Sequence, residues 1–137
     1  MSTSADLEKL LRNTRTVAVV GVSADPARPS HGVYSYLRSH SHYEVYPVNP
    51  TVTEIDGEKV YPSLAELPVV PDLVDVFRRH DLLPSVLEEV LALPTLPTTL
   101  WLQQGLFHEQ VARDARAAGL QVVMDRCLKV DYQLLVT

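Results

Sequence analysis

Residues 17–33 read VAVVGVSADPARPSHGV: an apolar β-branched run, one glycine, a polar loop with two prolines, and a helix start. A buried strand that ends in glycine and feeds a helix is how nucleotide-binding α/β proteins begin. Residues 16–22 are apolar without alternation, as a strand covered on both faces should be. The dinucleotide fingerprint is not completed, because Ser23 and Pro26 stand where its second and third glycines belong.

Outward from this stretch, strand and helix patterns alternate. Leu7, Leu10 and Leu11 predict a helix over 4–13, with Ser4 as its N-cap. Val33, Tyr36 and Leu37 predict a second over 30–41, capped by Ser30. Strands are expected at 43–48, 73–77, 98–102 and 121–124. Helices are expected at about 82–93, with Pro84 in its first turn, and at about 107–118, stopped by Gly119. Residues 128–136 read as a short helix or extended tail. Segment 51–71 reads as irregular, with a turn at Asp56-Gly57 and one helical turn at Ser63–Leu67 in capping-box spacing. The pattern predicts a single α/β domain over 1–137: a three-layer, Rossmann-like, doubly wound sheet of about five parallel strands, helices on both faces. The N-terminal helix lies within 1–13 and the core runs over about 14–133.

Composition narrows the partners. The chain has 137 residues and a net charge of −5. Without a basic cluster it is a poor match to nucleic acid or to an anionic membrane surface. No apolar stretch approaches the roughly 20 residues of a membrane span, and residues 1–16 are too charged for a signal peptide. Cys127 is the only cysteine, so no internal disulfide forms, and a cytoplasmic location is expected. The pattern is compatible with a protein partner or a homo-oligomer.

In a doubly wound sheet, ligands bind at the carboxyl ends of the strands. Gly21 leaves the backbone open to close approach, and Val22 and Ser23 can offer main-chain N–H groups to an anion. Arg28 and Ser30 can donate to phosphate oxygens. Arg78-Arg79 follow the third strand, and Phe77 beside them could wall an adenine ring. The second strand ends in Asn49-Pro50 with no carboxylate for ribose hydroxyls, which weighs against NAD. No Walker loop, nucleophile elbow or metal-ligand spacing occurs, and the five scattered histidines read as surface residues. Catalytic residues are therefore not assigned. Cys127, between Arg126 and Lys129, is a small core-edge residue or a thiol in a positive setting.

Taken together, these strand ends resemble a known family. Gly21-Val22-Ser23 with Arg28-Pro29-Ser30, Pro47-Val48-Asn49-Pro50, Asp75-Val76-Phe77-Arg78-Arg79, Trp101-Leu102-Gln103-Gln104-Gly105 and Met124-Asp125-Arg126-Cys127-Leu128-Lys129 look like the small stand-alone CoA-binding proteins. That family is similar to the N-terminal domain of the succinyl-CoA synthetase α subunit. The resemblance implies that coenzyme A or an acyl-CoA binds across the carboxyl edge of the sheet. It places Gly21, Val22 and Ser23 at the pantetheine–pyrophosphate region and Arg28 and Ser30 at phosphates. Val48, Asn49, Pro50, Phe77 and Arg78 would border the nucleotide, and Gln104 and Gly105 would lie toward the pantetheine arm. The sequence holds no phosphohistidine or nucleotide-grasp segment, and its first loop lacks the synthetase's extra glycines. A carrier, sensor or accessory subunit is expected rather than a ligase. The alternatives are redox or acyl-transfer chemistry on CoA through Cys127, or a Rossmann domain for another nucleotide such as NAD.

Overall fold

The computed structural model describes residues 3–136. Five parallel strands, β1 (Thr16–Val20), β2 (Glu44–Val48), β5 (Leu73–Val76), β6 (Thr99–Leu102) and β7 (Gln121–Val123), form one sheet in the order β2-β1-β5-β6-β7. A two-stranded antiparallel hairpin, β3 (Glu54–Ile55) with β4 (Glu58–Lys59), stands apart from it. Register runs Val45, Val17 and Leu73 across the first three strands, then Leu73, Thr99 and Gln121 across the rest.

Strand residues alternate between two apolar layers. Val17, Val19, Leu73 and Trp101 pack beneath α1 (Ser4–Asn13), α2 (Pro29–His40) and α5 (Leu128–Leu135). Ala18, Val20, Val74, Val76 and Leu102 pack beneath α3 (Leu83–Leu91) and α4 (Glu109–Ala118). With both faces covered, no polar alternation is needed, which is why residues 17–20 of β1 read as an unbroken apolar run. Trp101 is fully buried, and its indole N–H donates to the Arg126 carbonyl at 2.8 Å, so its polar handle is satisfied in the core.

The element ends correct several sequence expectations. The N-cap of α1 is Thr3, not Ser4: its hydroxyl accepts the Asp6 N–H at 3.2 Å, and the Asp6 carboxylate accepts the Thr3 N–H at 3.2 Å. Pro29 opens α2, so Arg28 takes the N-cap position and Ser30 lies inside the helix. Ser63 makes no capping bond, and the Leu64 N–H is taken by Glu89 Oε1 at 3.3 Å instead. The hairpin at 54–59 replaces part of the irregular segment. Its turn is Asp56-Gly57, both at positive φ (51° and 80°), a two-residue hairpin signal visible in the sequence. Gly119, at φ 108°, ends α4 as expected. Among the described residues, no helix is long and apolar enough to cross a membrane.

Candidate functional site

The chain passes from β1 to β2 on one side, then returns to lay β5 on the other side of β1. The loop leaving β1 leads to α2 on one face, and the loop leaving β5 leads to α3 on the opposite face. Such a reversal of strand order opens a crevice between the diverging loops. A cleft of about 750 Å³ lies there, within the range of small-molecule sites.

Gly21 stands at its centre. Its φ is +88°, and a Cβ there would lie 2.9 Å from both the Phe77 carbonyl carbon and Arg78 Cδ, closer still to the Phe77 carbonyl oxygen. Its N–H donates to the Val48 carbonyl at 2.8 Å. The sequence reading gave this glycine to the ligand; the structure shows that the approach of the loop after β5 already requires it. The rest of the first loop is internally bonded. The Ser23 N–H donates to Ser30 Oγ at 2.9 Å, the Asp25 N–H to Ser23 Oγ at 3.0 Å, and the Ala27 N–H to Asp25 Oδ1 at 3.0 Å. These bonds fix the loop and hold Arg28 at the start of α2. The Ser23 N–H is thus engaged by Ser30 rather than held open for an anion.

Asn49 is similarly committed. Its Nδ2 donates to the Val22 carbonyl at 2.8 Å, and its Oδ1 accepts from the Thr51 N–H and hydroxyl, each at 2.9 Å. It clamps the loop after β2 against the loop after β1.

Of the residues singled out in the sequence, the cleft gathers Gly21, Ser23, Arg28, Ser30, Asn49, Phe77, Arg78, Gln104 and Cys127. Four lie elsewhere. The Val22 side chain is fully buried in the core. Val48 and Pro50 border a separate hollow of about 160 Å³, which Arg78 also lines. Gly105 is exposed, its N–H held by Asp125 Oδ1 at 2.7 Å. The cleft adds Pro29, Val33, Thr51, Val52, Gln103 and Leu106, together with Arg79 of the basic pair. Thr51-Val52 directly follow the Asn49-Pro50 strand end, and Gln103 is the first residue past β6; both were within reach of the strand-end rule.

The electrostatics are one-sided. Arg28, Arg78 and Arg79 line the cleft, and no Asp or Glu does. Among the described residues Arg28 and Arg78 form no ion pair, while Arg79 lies 3.5 Å from Asp81 at an exposed position where such contacts contribute little. The positive setting expected around Cys127 is not formed by its neighbours. Arg126 grips Asp131 through two bonds of 2.6 and 2.9 Å, and Lys129 Nζ lies over the Tyr36 ring at 5.3 Å. Cys127 itself is half-buried and precedes α5 as its N-cap residue.

His40, His42 and His80 are exposed, in keeping with the surface reading, and His108 is half-buried; His31 departs from it. His31 is buried, with Nε2 3.1 Å from Asp56 Oδ2, joining α2 to the hairpin turn. The His42 ring bridges the Thr14 carbonyl and the Tyr132 hydroxyl, at 2.9 Å each. His108 Nδ1 accepts the Val111 N–H at 3.1 Å and so caps α4.

Asp75, on the central strand β5, is fully buried, and neither carboxylate oxygen has a hydrogen-bond partner. Burial holds its carboxyl well above the usual carboxylate range. It lies outside the cleft lining.

Relatives share this architecture. The sequence is 40% identical over 128 residues to the uncharacterized protein YneT of Bacillus subtilis, covering 93% of each chain. A solved structure from Thermus thermophilus superposes with a TM-score of 0.90 at 40% identity, over 98% of this chain and 99% of that one. The α subunit of ADP-forming acetate–CoA ligase I of Pyrococcus furiosus is 28% identical over 135 residues, which span 89% of this chain but only 29% of that subunit. The family described as CoA binding domain matches residues 15–133, nearly the whole sequence, and the chain belongs to that family.

Proposed function

We propose that this chain binds coenzyme A or an acyl-CoA in the cleft at the carboxyl edge of the sheet, acting as a carrier, sensor or accessory subunit. The observation that carries this reading is a cleft lined by three arginines and no carboxylate. Coenzyme A brings a pyrophosphate and a 3′-phosphate, and guanidinium groups meet phosphate oxygens with paired, charge-assisted hydrogen bonds. Arg28, Arg78 and Arg79 take these phosphates in this reading, at the mouth of the β1 and β5 loops. Phe77 and Val52 offer apolar surface to the adenine, and Arg78 also lines the separate hollow bordered by Val48 and Pro50. Gln103 and Gln104 offer carboxamides to the amide-bearing pantetheine arm. Membership of the CoA binding domain family supports the same ligand. The ligase's own reaction is not carried over, since the chain spans 29% of that subunit.

The test is a thermal-shift and calorimetric comparison of CoA, NAD and ATP. A ligand at 100 times its Kd stabilises the folded state by about 2.7 kcal/mol, so a clear rise in Tm with CoA alone is expected. Equal shifts with NAD or ATP, or no shift with CoA, would overturn the reading.

A further inference from the structure

We propose that Cys127 is a thiol–disulfide exchange site at which the chain captures the thiol end of coenzyme A as a mixed disulfide. The inference rests on the CoA reading above and adds a covalent step to it. Its first basis is where the cleft begins and ends. The arginines lie at the loops after β1 and β5, whereas Cys127 lines the same cleft from the loop after β7. Between those places lie two to three strand spacings, roughly 10–14 Å. A pantetheine arm has about twelve bonds between phosphate and thiol, the length of about four extended residues, or roughly 13–14 Å. With its phosphates on the arginines and its arm along the sheet edge, the ligand's sulfur arrives at Cys127.

The second basis is Gln103. It is 5% exposed yet lines the cleft. Its Oε1 accepts the N–H of Leu128, the residue after Cys127, at 3.3 Å. Among the described residues its Nε2 has no partner. A largely buried side chain thus presents an amide donor in the cleft wall that Cys127 also lines, fit to donate to a carbonyl of the pantetheine arm, whose amides lie close to its sulfur. That donor opens into the cleft, where a ligand amide carbonyl can pair with it.

The step is an exchange. The Cys127 sulfur, as thiolate, attacks one sulfur of CoA disulfide; the new Cys127–CoA bond forms as the old S–S bond breaks. The second CoA leaves as a thiolate and takes a proton from water. Cys127 is oxidised, one CoA is reduced, and no other oxidant is required.

Intact-mass spectrometry of the wild-type protein incubated with CoA disulfide tests this. The expected result is a gain of one CoA, mapped to Cys127, released by reductant and absent from Cys127→Ser, whose folding is checked by its melting curve. Because the nucleotide docks first, exchange with CoA disulfide should run about tenfold or more faster than with glutathione disulfide at equal concentration. No adduct, or equal rates with the two disulfides, overturns the proposal. A parallel Tm measurement on wild type with reduced CoA under reductant separates the two claims. Stabilisation without an adduct sinks the exchange site and leaves CoA binding standing; neither effect sinks both.

Discussion

The two edges of the same sheet carry hollows of different character. At the amino edge a depression of about 420 Å³ is lined by Asp6, Lys9, Asn13, Thr14, Asp72, Thr98 and others. Several of its polar groups serve the fold: Asp72 Oδ2 accepts the N–H groups of Arg15 and Thr16 at 2.9 and 3.2 Å, Thr14 Oγ1 donates to the Leu10 carbonyl, and Asp6 completes the cap of α1. At the carboxyl edge the loops are also bonded, but Arg28 and Arg78 are left without an ion pair among the described residues. A hollow alone therefore says little. What differs is the balance of charge: Lys9 shares the amino-edge hollow with Asp6 and Asp72, whereas three arginines share the carboxyl-edge cleft with no carboxylate.

The largest effect expected at the carboxyl edge is structural. Gly21→Ala should destabilise by about 3 kcal/mol, combining left-handed strain with overpacking against Phe77. Gly105→Ala, also at positive φ but with open space around it, should lose only about 1 kcal/mol. Urea titration of both variants would show equal losses if the close approach at Gly21 were unimportant.

Binding should separate the two edges directly. Arg28→Ala and Arg78→Ala should each weaken CoA binding by roughly 1.5–3 kcal/mol, the range for hydrogen bonds to charged groups. Lys9→Ala, at the amino edge, should leave it unchanged by calorimetry. Equal losses at both edges would end the comparison.

Between the edges lies Asp75, and its pH dependence has a definite sign. Its folded-state carboxyl titrates above its unfolded value of about 4, so the folded state holds a proton that the unfolded state releases. Stability is therefore full below about pH 4 and falls as pH rises toward the folded-state value. Asp75→Asn cannot ionise, so its stability relative to wild type should rise by up to about 1.4 kcal/mol per pH unit across that window. Denaturant titrations at pH 4, 5 and 6 measure this, and a constant difference would show that Asp75 ionises normally.

The smallest expected effect is screening. CoA affinity should weaken several-fold between low salt and physiological ionic strength, where the Debye length falls to about 8 Å. Salt-independent binding would place the phosphates away from the arginines.

The sequence carried most of the framework. The unbroken apolar run at 17–20 exists because both faces of β1 are covered, and that covering is itself what a continuous run encodes. Pro84 and Gly119 marked helix ends through backbone chemistry that acts locally. The strand-end rule brought Arg28, Phe77, Arg78, Gln104 and Cys127 to one cleft, because topology depends on the order of elements. The hairpin at 54–59 shows in the sequence only as its Asp56-Gly57 turn, since its strands are two residues each and carry little pattern.

Side-chain partners across the fold were not legible. That Ser30 ties down Ser23, that Arg126 is claimed by Asp131, that Asp75 has no partner, and that Gly21 faces the Phe77 carbonyl all depend on atoms brought together from distant parts of the chain. Periodicity and local propensity report only which side of an element is buried. The sequence by itself determined a doubly wound sheet and turned attention to its carboxyl edge, where the cleft lies. Only the tertiary structure decided which polar groups there hold the fold together and which are left without a partner in it, because hydrogen-bond geometry is settled by packing.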